Sequence, residues 1–323
     1  MDGPIIVAIE LSIVIINWNG GTLLRRCIES IVQSPPSVSY EIILVDNSST
    51  DDSLNWLRSD VAKTKPGGVK IRLIENLENV GFSKANNQAF TYSEAPMLLL
   101  LNNDTEVRPG AIDSLVATLE SEGRIGACGP RLINPDGSLQ VSAWRNPPTA
   151  WETLISGLRL YRLIPRSIRG ELLLGRHWDH ARRRRVGMLS AAALLIRRQV
   201  IDDVGGFDER FHMYAEDDEF CLRVVRARWW LVFEPDAVVM HRGGGGALTR
   251  WSSLERRLRV IDEGLRFQRY SLSLVHFISN LLANAFVLLL AAGWRRLRGD
   301  SMTETRMKFE LYMKHLRQVL WDR

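Results

Sequence analysis

Three oxygen-bearing side chains stand together directly after a run of apolar residues. Residues 97–101 read MLLLL, and Asn102, Asn103 and Asp104 follow without a break. Hard divalent cations choose oxygen ligands, and substrate phosphates often complete their coordination shell. The pattern therefore predicts a buried strand whose polar end is aimed at a metal ion and a diphosphate.

A second group of acids lies at Glu216, Asp217 and Asp218, just ahead of the apolar positions Phe220 and Val224. A positioned carboxylate can take a proton from a hydroxyl group, which contributes a rate factor of typically ~10² to 10⁴. Acids are also common in the first turn of a helix, because they complement the helix dipole. The residues alone leave both interpretations open.

Short apolar runs alternate with helical patterns up to about residue 135. Continuous apolar runs are typical of strands buried on both faces, and this alternation predicts an α/β fold with a mostly parallel sheet flanked by helices. A further helix is expected to begin at Pro109. The predicted strands are LSIVIIN from Leu11, YEIILVDN from Tyr40, VKIRLIEN from Val69, which is expected nearer an edge, and MLLLLNND from Met97.

Each of these four strands is followed by Asn or Asp. Asn17, Asp46 and Asn102 end the first, second and fourth strands, and Asn76 and Asn79 follow the third. Ligands of parallel α/β sheets bind outside the carboxyl ends of the strands, so four such endings favour a binding site over simple turn signals. The first turn reads NWNGGT rather than GxGxxG, and the chain lacks GxxxxGK[ST], which argues against the common dinucleotide and P-loop sites.

Composition narrows the class of partner. The 323-residue chain carries a net charge of +5 with a pI near 9.3, which suits anionic partners such as nucleotide diphosphates or anionic lipid. It contains no recognisable nucleic-acid module, so no nucleic-acid partner is expected. Three widely separated cysteines without a CxxC predict neither a disulfide framework nor a zinc site, and they suit a reducing compartment.

The stretch from Tyr270 to Trp294 has no charged residue and is flanked by arginines. It is long enough to span a bilayer, but His276, Asn280 and Asn284 make it a poor spanning helix. An interfacial helix is favoured, with a buried helix and a true span left open. The run Arg182–Arg185 is interpreted as a solvated loop rather than a binding element. The amino terminus lacks the basic lead of a secretory signal, which predicts a cytoplasmic protein.

Four segments in this order resemble the family 2 inverting glycosyltransferases of the GT-A fold, particularly the bacterial rhamnosyltransferase-like branch. They are SIVIINWNG, LVDNSSTDDS, NVGFSKANNQAF with LLLLNNDTEV, and ALLIRR…VGGFDERFHMYAEDDEFCLR…VVMHRGGG. The resemblance covers residues 10–246. It implies a GT-A nucleotide-diphospho-sugar transferase domain over residues 1–246 and a helical extension over residues 247–323 for membrane association, packing or oligomer contacts.

The resemblance also assigns roles to individual residues. Asp217 matches the catalytic base, with Asp218 and Glu216 as alternates. Asp104 and His241 match the contacts to a divalent cation, Mg²⁺ or Mn²⁺, with Asn102 as a further contact. The residues expected to bind the nucleotide are Asn17, Asn19, Asp46, which matches the nucleobase contact, Asn79, Asn87 and Asn103.

Two departures from the family pattern affect this assignment. Asn102 stands where the D-x-D motif has its first acid, which predicts weaker metal binding. The segment LSAAALL lacks the glycine common before the alanine, so Ala191 or Ala192 is expected to narrow the sugar or acceptor pocket. Asn134–Ser138, NPDGS, is predicted to form a tight hairpin turn. Residues 242–247, RGGGGA, are interpreted as either a mobile loop or a linker.

The function implied is inverting, metal-dependent transfer of a sugar from a nucleotide diphosphate sugar to an acceptor hydroxyl in cell-surface polysaccharide or lipid-linked glycan synthesis. The best-matching donor is an activated L-rhamnose, a dTDP-sugar, and the acceptor is a glycan or polyprenyl-linked sugar. The expected location is the inner face of the cytoplasmic membrane, by peripheral contact, and the sequence is compatible with an oligomer. The alternatives are another UDP- or dTDP-sugar donor, or a degenerate module that binds nucleotide sugar without catalysis.

Overall fold

The apolar runs of the first half form parallel strands joined by helices. The computed structural model describes residues 8–60, 69–144, 149–173, 175–243, 252–299 and 301–321. Its first strands are β1 (Leu11–Asn17), β2 (Tyr40–Asp46), β3 (Lys70–Glu75) and β4 (Met97–Asn102), and the connecting helices are α1 (Gly21–Gln33), α2 (Asn55–Asp60) and α3 (Phe82–Tyr92). Because helices cover both faces of such a sheet, β1, β2 and β4 are buried along almost their whole length.

Later strands enlarge this sheet in a mixed arrangement. They are β5 (Thr105–Val107), β6 (Ile125–Ile133), β7 (Leu139–Gln140), β8 (Ala143–Trp144), β9 (Arg184–Val186), β10 (Met188–Leu189), β11 (Ala193–Arg197) and β12 (Trp230–His241). The main order is β3-β2-β1-β4-β11-β6-β12-β5, with β7 on β6 and β9 on β12, while β8 and β10 form a small separate pair. Strand β11 runs antiparallel to both β4 and β6, whereas β6 and β12 are parallel. Helices α4 (Ala111–Ser121), α7 (Arg198–Val204) and α8 (Glu216–Arg226) accompany these strands.

The predicted α/β class is confirmed, and β3 lies at one end of the sheet as predicted. The helix expected from Pro109 begins two residues later, at Ala111, so that prediction was wrong in detail. Gly110 precedes it with a φ of 75°, a left-handed conformation that a helix cannot include.

Strand register brings the predicted polar endings to one edge. Asn17 is paired with Asp46 across β1 and β2, and Ile16 is paired with Asn102 across β1 and β4. Asp46 is paired with Glu75, so Asn76 also follows at this edge. We call this carboxyl edge of β1, β2, β3 and β4 the rim.

The core of the sheet is apolar on both sides. Leucines and isoleucines of β1, β2 and β4 pack with Leu24, Ile28 and Leu115 from the covering helices. Cys27, Cys128 and Cys221 are all buried, and burial raises the pKa of each thiol, to about 12 for Cys27. The cysteines therefore behave as small apolar core residues, in agreement with the absence of a CxxC.

The described residues divide into two compact units. The first contains the sheet and comprises Met1–Trp144 and His180–Thr249, and the second comprises Arg145–Asp179 and Arg250–Arg323. The second unit contains α5 (Ala150–Gly157), α6 (Arg166–Leu173), α9 (Ser253–Ser271), α10 (Leu274–Arg298) and α11 (Thr303–Trp321). Residues 145–179 were expected within the catalytic domain. In the structure they group with the carboxyl-terminal helices, because α5 packs on α10.

A buried polar network occupies one face of α10. Asn280 donates to Gln268 Oε1 over 2.6 Å and accepts from Thr153 Oγ1 over 2.6 Å. Asn284 accepts from the Tyr312 hydroxyl over 3.3 Å. Buried amides are stable only when hydrogen-bonded, so the asparagines that weaken this stretch as a membrane span instead pack it within the second unit.

The opposite face of α10 is apolar and exposed. Leu282 is 59% exposed, Phe286 49% and Leu289 60%, at helical spacing. Among the described residues, α10 is the one helix long and apolar enough to cross a membrane, a test that core helices of soluble proteins also pass.

The arginine run was only partly predicted correctly. Arg184 and Arg185 lie in strand β9 rather than in a loop, because β9 pairs with β12. Arg183 forms an ion pair with the buried Glu234, and the Arg185 guanidinium lies 4.8 Å from the centre of the Trp230 ring. These arginines therefore stabilise the end of the sheet.

Candidate active site

Asn17 is the centre of a hydrogen-bond network at the rim. Its side-chain nitrogen donates to Asp46 Oδ1 over 2.8 Å, to Ser53 Oγ over 2.9 Å and to Ser49 Oγ over 3.1 Å. Its oxygen accepts from Asn103 Nδ2 over 2.9 Å. One buried amide thus connects the ends of β1 and β2 to the loop after β4.

The Asp46 carboxylate is buried and partly satisfied. Oδ1 accepts from Asn17 and, over 2.6 Å, from the Ser49 hydroxyl, while Oδ2 accepts from the Ser49 N–H over 2.9 Å. An ionised carboxylate offers about four acceptor positions, so these three bonds leave one of them on Oδ2.

Asp104 and His241 lie side by side although 137 positions separate them in the chain. Antiparallel pairing of β5 with β12 sets His241 opposite Thr105, which brings the preceding Asp104 next to the imidazole. Asp104 Oδ1 lies 3.2 Å from His241 Nε2, and Asn102 Nδ2 lies 3.3 Å from the same nitrogen. Asp104 is buried, so its charge is poorly solvated by water and suited to a positively charged partner.

The donor set fits a sparse divalent-cation site. A carboxylate oxygen and an imidazole nitrogen suit Mg²⁺ or Mn²⁺ when substrate phosphates supply the remaining ligands, and Asn102 would add its amide oxygen only after the amide, whose nitrogen now faces His241, turns over. Among the described residues, no group of three or more His, Cys, Asp or Glu side chains is arranged to hold a metal ion.

Asp217 lies in the first turn of α8. Tyr214 and Ala215 precede it with φ values of 74° and 67°, a costly left-handed conformation that turns the chain abruptly into the helix. Its Oδ2 accepts from the Ala191 N–H over 3.2 Å, and its Oδ1 accepts from the Asp218 N–H over 3.0 Å. Burial is the main influence and raises the pKa of the Asp217 carboxyl, while these two N–H groups act against it.

A latch defined by Asn87, Gly206, Phe207 and Arg223 holds the loop that leads towards α8. Asn87 donates to the Phe207 carbonyl and accepts from the Phe207 N–H, both over 2.8 Å. Arg223 donates to the Gly206 carbonyl over 2.7 Å and forms an ion pair with Glu219. A Cβ on Gly206 would lie 2.2 Å from Asn87 Oδ1, so this close contact requires glycine.

Two parts of the site are named for their proposed roles: the metal side is Asn102, Asp104 and His241, and the base side is Asp217. The backbone joins them. The Asn102 N–H donates to the Ala192 carbonyl over 3.0 Å, and the adjacent Ala191 N–H donates to Asp217. Ala191 and Ala192 are both buried. The segment without the expected glycine therefore holds Asp217 through its backbone.

Comparison with known proteins agrees with this arrangement. The family model for glycosyl transferase family 2 matches residues 12–205. The chain belongs to glycosyl transferase family 2. An N-acetylglucosaminyl-diphospho-decaprenol L-rhamnosyltransferase of Mycobacterium tuberculosis is 30% identical over 260 residues, which is 72% of this chain and 75% of that protein. The chain is therefore a glycosyltransferase that acts in glycan synthesis with a nucleotide-sugar donor.

A more distant relative and two solved structures are also similar to this chain, and the two structures confirm the predicted GT-A fold. A low-salt glycan biosynthesis hexosyltransferase, Agl10, of Haloferax volcanii is 27% identical over 221 residues, covering 67% of this chain and 62% of that protein. The structure of the mannosyltransferase PcManGT from Pyrobaculum calidifontis, in complex with GDP-Man and Mn²⁺, covers 99% of this chain and 91% of that one, with a TM-score of 0.60 at 16% identity. The structure of GalNAc-T7 with UDP, GalNAc and Mn²⁺ covers 81% of this chain and 48% of that one, with a TM-score of 0.57 at 18% identity.

Most of the residues expected to bind nucleotide in this family 2 enzyme lie at the rim, in two kinds of environment. Asn17, Asp46 and Asn103 share one network, whereas Asn19 Oδ1 accepts from the Thr50 N–H over 2.8 Å and Asn79 Oδ1 accepts from the Gly81 N–H over 3.0 Å. These last two shape turns. Asn87 lies in the latch, and the roles assigned to all six stay predictions.

Sequence reasoning did not single out Ser49, Ser53 and Gln140. The two serines belong to SSTDDS, part of a segment that carries the family resemblance, but no role was assigned to either serine. Gln140 hydrogen-bonds His241 from a two-residue strand, and no sequence pattern marked it. The loop proposed after Arg242 extends into residues 244–247, outside the described residues.

We expect Gly20→Ala to reduce sugar transfer at least tenfold. A Cβ there would lie 2.3 Å from Asn17 Oδ1 and 2.6 Å from Asn103 Nδ2, so the amides that join the rim to the metal side must separate. Steady-state kinetics with Gly123→Ala as control tests this, because a Cβ at Gly123 meets nothing within 4 Å. Equal activity of the two variants would show that the Asn17–Asn103 contact is dispensable.

Proposed function

We propose that this enzyme transfers L-rhamnose from dTDP-L-rhamnose to a hydroxyl of a polyprenyl-linked or glycan acceptor, with inversion and with a divalent cation. The observation that carries the proposal is the contact between Asp104 and His241 beside the rim, with Asp217 joined to the same strand end through Ala191 and Ala192. The choice of sugar and lipid acceptor is supported by the name of the 30%-identical relative, so it rests on analogy.

Asp104, His241 and Asn102 would hold Mg²⁺ or Mn²⁺ against the donor diphosphate. When bound, the cation neutralises charge that develops on the nucleoside diphosphate as the glycosidic bond breaks. The protein supplies an ionised carboxylate in a buried position, where an opposite charge is worth more than it is in water. Asn102 contributes no charge, so Asp104 is expected to dominate cation binding.

Asp217 would act as the general base. Its carboxylate takes the proton of the acceptor hydroxyl while that oxygen forms a bond to the anomeric carbon and the bond from that carbon to the diphosphate oxygen breaks. The electron pair of the broken bond leaves on the diphosphate. A single displacement of this kind inverts the anomeric configuration. The raised pKa of Asp217 makes it a stronger base than an exposed aspartate.

The nucleobase would bind at Asp46. The acceptor position left on Oδ2 suits the imide N–H of thymine or uracil, whereas cytosine has no such N–H. Asn17 and Ser49 hold the carboxylate in place on its other positions. This supports a dTDP- or UDP-sugar donor, with UDP-sugars as the alternative to dTDP-L-rhamnose.

We expect dTDP-L-rhamnose with Mn²⁺ or Mg²⁺ to stabilise the enzyme against thermal unfolding more than GDP-mannose does. A ligand at 100 times its dissociation constant adds about 2.7 kcal/mol to the free energy of unfolding. Differential scanning fluorimetry with both sugars and with UDP-glucose, each with cation and with EDTA, provides the measurement. Stronger stabilisation by GDP-mannose would contradict the proposed dTDP-sugar donor.

We expect Asp104→Ala to abolish transfer and Asn102→Ala to weaken it, because only the first removes a charge from the cation site. Release of nucleoside diphosphate, measured across a Mn²⁺ titration, separates a loss of cation affinity from a loss of turnover. Full activity in EDTA would rule out metal dependence. A wild-type protein that binds donor but releases no product with any acceptor would support the degenerate-module alternative instead, which Asn102 favours.

We expect Asp217→Asn to retain donor binding and to lower turnover at least ~10²-fold, because the amide keeps the shape but cannot take a proton. In the wild type, a carboxylate with a raised pKa is ionised above that pKa, so the rate should fall as the pH is lowered through it. Asp218→Asn and Glu216→Gln are the comparison variants. If Asp218→Asn is inactive while Asp217→Asn is near normal, the base is Asp218.

Peripheral attachment to the inner face of the cytoplasmic membrane completes the proposal, because a polyprenyl-linked acceptor lies at the bilayer. The exposed apolar face of α10 includes Leu282, Phe286 and Leu289, and Arg295, Arg296 and Arg298 lie in its last turn. Anionic lipid attracts each basic residue near its surface by about 1 kcal/mol, and apolar burial adds to this attraction. The buried Asn280 on the opposite face supports an interfacial helix over a true span.

We expect Leu282→Asp with Leu289→Asp to lower binding to anionic liposomes at least tenfold, because two exposed apolar side chains leave the interface. Flotation with phosphatidylglycerol vesicles measures the bound fraction. The matched control, Leu77→Asp with Tyr92→Asp, replaces exposed apolar residues of the first unit. If wild type and both variants stay in the soluble fraction at low salt, the exposed face has another use and the membrane assignment fails.

A further inference from the structure

The turn Asn134–Ser138 connects β6 to β7 and ends beside the metal side of the site. Antiparallel pairing of Ile133 with Leu139 confirms the predicted hairpin, and Gly137, with a φ of 80°, takes the left-handed position that the turn requires. Gln140 follows on β7, partly buried, and its side chain reaches His241 on β12. The turn is therefore connected to the cation site by one side chain.

Hydrogen bonds run through this turn in one direction, starting at Asp136. The ionised Asp136 carboxylate can only accept, so the Ser138 hydroxyl donates to Asp136 Oδ1 over 2.6 Å. Having given its hydrogen, Ser138 Oγ accepts from Asn134 Nδ2 over 2.9 Å. The orientation of the Asn134 amide follows, with Oδ1 turned towards Gln140.

The same logic determines the next two groups. Asn134 Oδ1 accepts from Gln140 Nε2 over 3.0 Å, which leaves Gln140 Oε1 facing His241 Nδ1 at 2.6 Å. An amide oxygen can only accept, so Nδ1 of His241 must carry a hydrogen. In the neutral imidazole the other nitrogen, Nε2, then presents its lone pair. That nitrogen lies 3.2 Å from Asp104 Oδ1 and 3.3 Å from Asn102 Nδ2, so its lone pair faces a carboxylate oxygen, an arrangement that a cation between the two atoms would stabilise.

We propose that Gln140, aligned by the Asn134–Ser138 turn, is a positioning residue that selects the Nδ1–H tautomer of His241 and so directs the Nε2 lone pair at the cation site. This inference rests on the proposed function for its purpose. A histidine that binds a metal commonly donates its other N–H to an oxygen, which sets both tautomer and ring orientation. Here that oxygen belongs to a neutral amide whose own direction is set by the turn.

A second set of contacts fixes the position of the Gln140 amide. Its Nε2 lies 3.4 Å from the His241 carbonyl oxygen as well as 3.0 Å from Asn134, so both sides of the amide are engaged. β7 contributes only Leu139 and Gln140 to the sheet, and both pair with β6. The side chain of Gln140 therefore connects this short strand to β12 across β6.

The tautomer can be measured in the metal-free protein. Histidine labelled with ¹⁵N gives distinct signals for N–H and lone-pair nitrogens, and we expect Nδ1 of His241 to carry a hydrogen, because it faces Gln140 Oε1. Gln140→Met, which removes the acceptor, should lose this preference. Gln140→Glu, which keeps an oxygen acceptor, should retain it. Gln33→Met, on the exposed end of α1, is the matched control and should match the wild type.

Cation affinity provides the second readout. With saturating dTDP, electron paramagnetic resonance of free Mn²⁺ should show affinity lowered ~10- to 100-fold by Gln140→Met and restored by Gln140→Glu. A bare Nδ1 in the wild type, or an unchanged tautomer and affinity in Gln140→Met, would overturn the proposal. A wild type with the expected tautomer but without Mn²⁺ binding would leave the role of Gln140 supported and remove the metal from the proposed function.

Discussion

The pairing of β5 with β12 is the constraint on which the rest of the site depends. It places His241 opposite Thr105, and therefore beside Asp104, through backbone hydrogen bonds alone. The imidazole and the carboxylate are brought together by strands that also pack on the core, so their separation is set by the sheet rather than by a flexible loop. Parallel pairing of β1, β2 and β4 places Asn17 and Asp46 at the same edge. The residues proposed for substrate recognition and for chemistry are thus held by one rigid sheet.

The sheet holds three aspartate carboxylates whose charges would be costly in free energy to bury without hydrogen-bond or charged partners. Asp46, Asp104 and Asp217 are all withdrawn from bulk water, and each is compensated differently. Hydroxyl and N–H groups surround Asp46, an imidazole and an amide lie beside Asp104, and Asp217 receives two backbone N–H groups. Burial outweighs the two hydrogen bonds of Asp217 and raises the pKa of its carboxyl. Differences in hydrogen bonding, rather than in residue type, thus separate three aspartates that are alike in sequence.

Much of the rim could be predicted from the sequence, because parallel strands are continuously apolar and carry their ligand-binding polar groups at their carboxyl ends. The contact between Asp104 and His241 could not be derived in this way, since it depends on the antiparallel insertion of β11 and on the long β12. The family resemblance suggested that contact, whereas the residue pattern of a single sequence does not show it. Neither the residue pattern nor the family resemblance marked Gln140. Its proposed role depends on amide orientations that follow from Asp136, four residues earlier. The grouping of residues 145–179 with α9, α10 and α11 likewise depends on the packing of α5 on α10, and no local sequence pattern predicts that packing.

The burial of every cysteine has a practical consequence for following this enzyme at work. Cys27, Cys128 and Cys221 are enclosed in the core, and their raised thiol pKa values keep them protonated, so maleimide and methanethiosulfonate reagents find no reactive thiolate on the native surface. A single cysteine introduced at an exposed position, such as Leu297 at the end of α10, would therefore be the one reactive handle. Fluorophores or spin labels attached there would report depth in a bilayer without removal of any native cysteine.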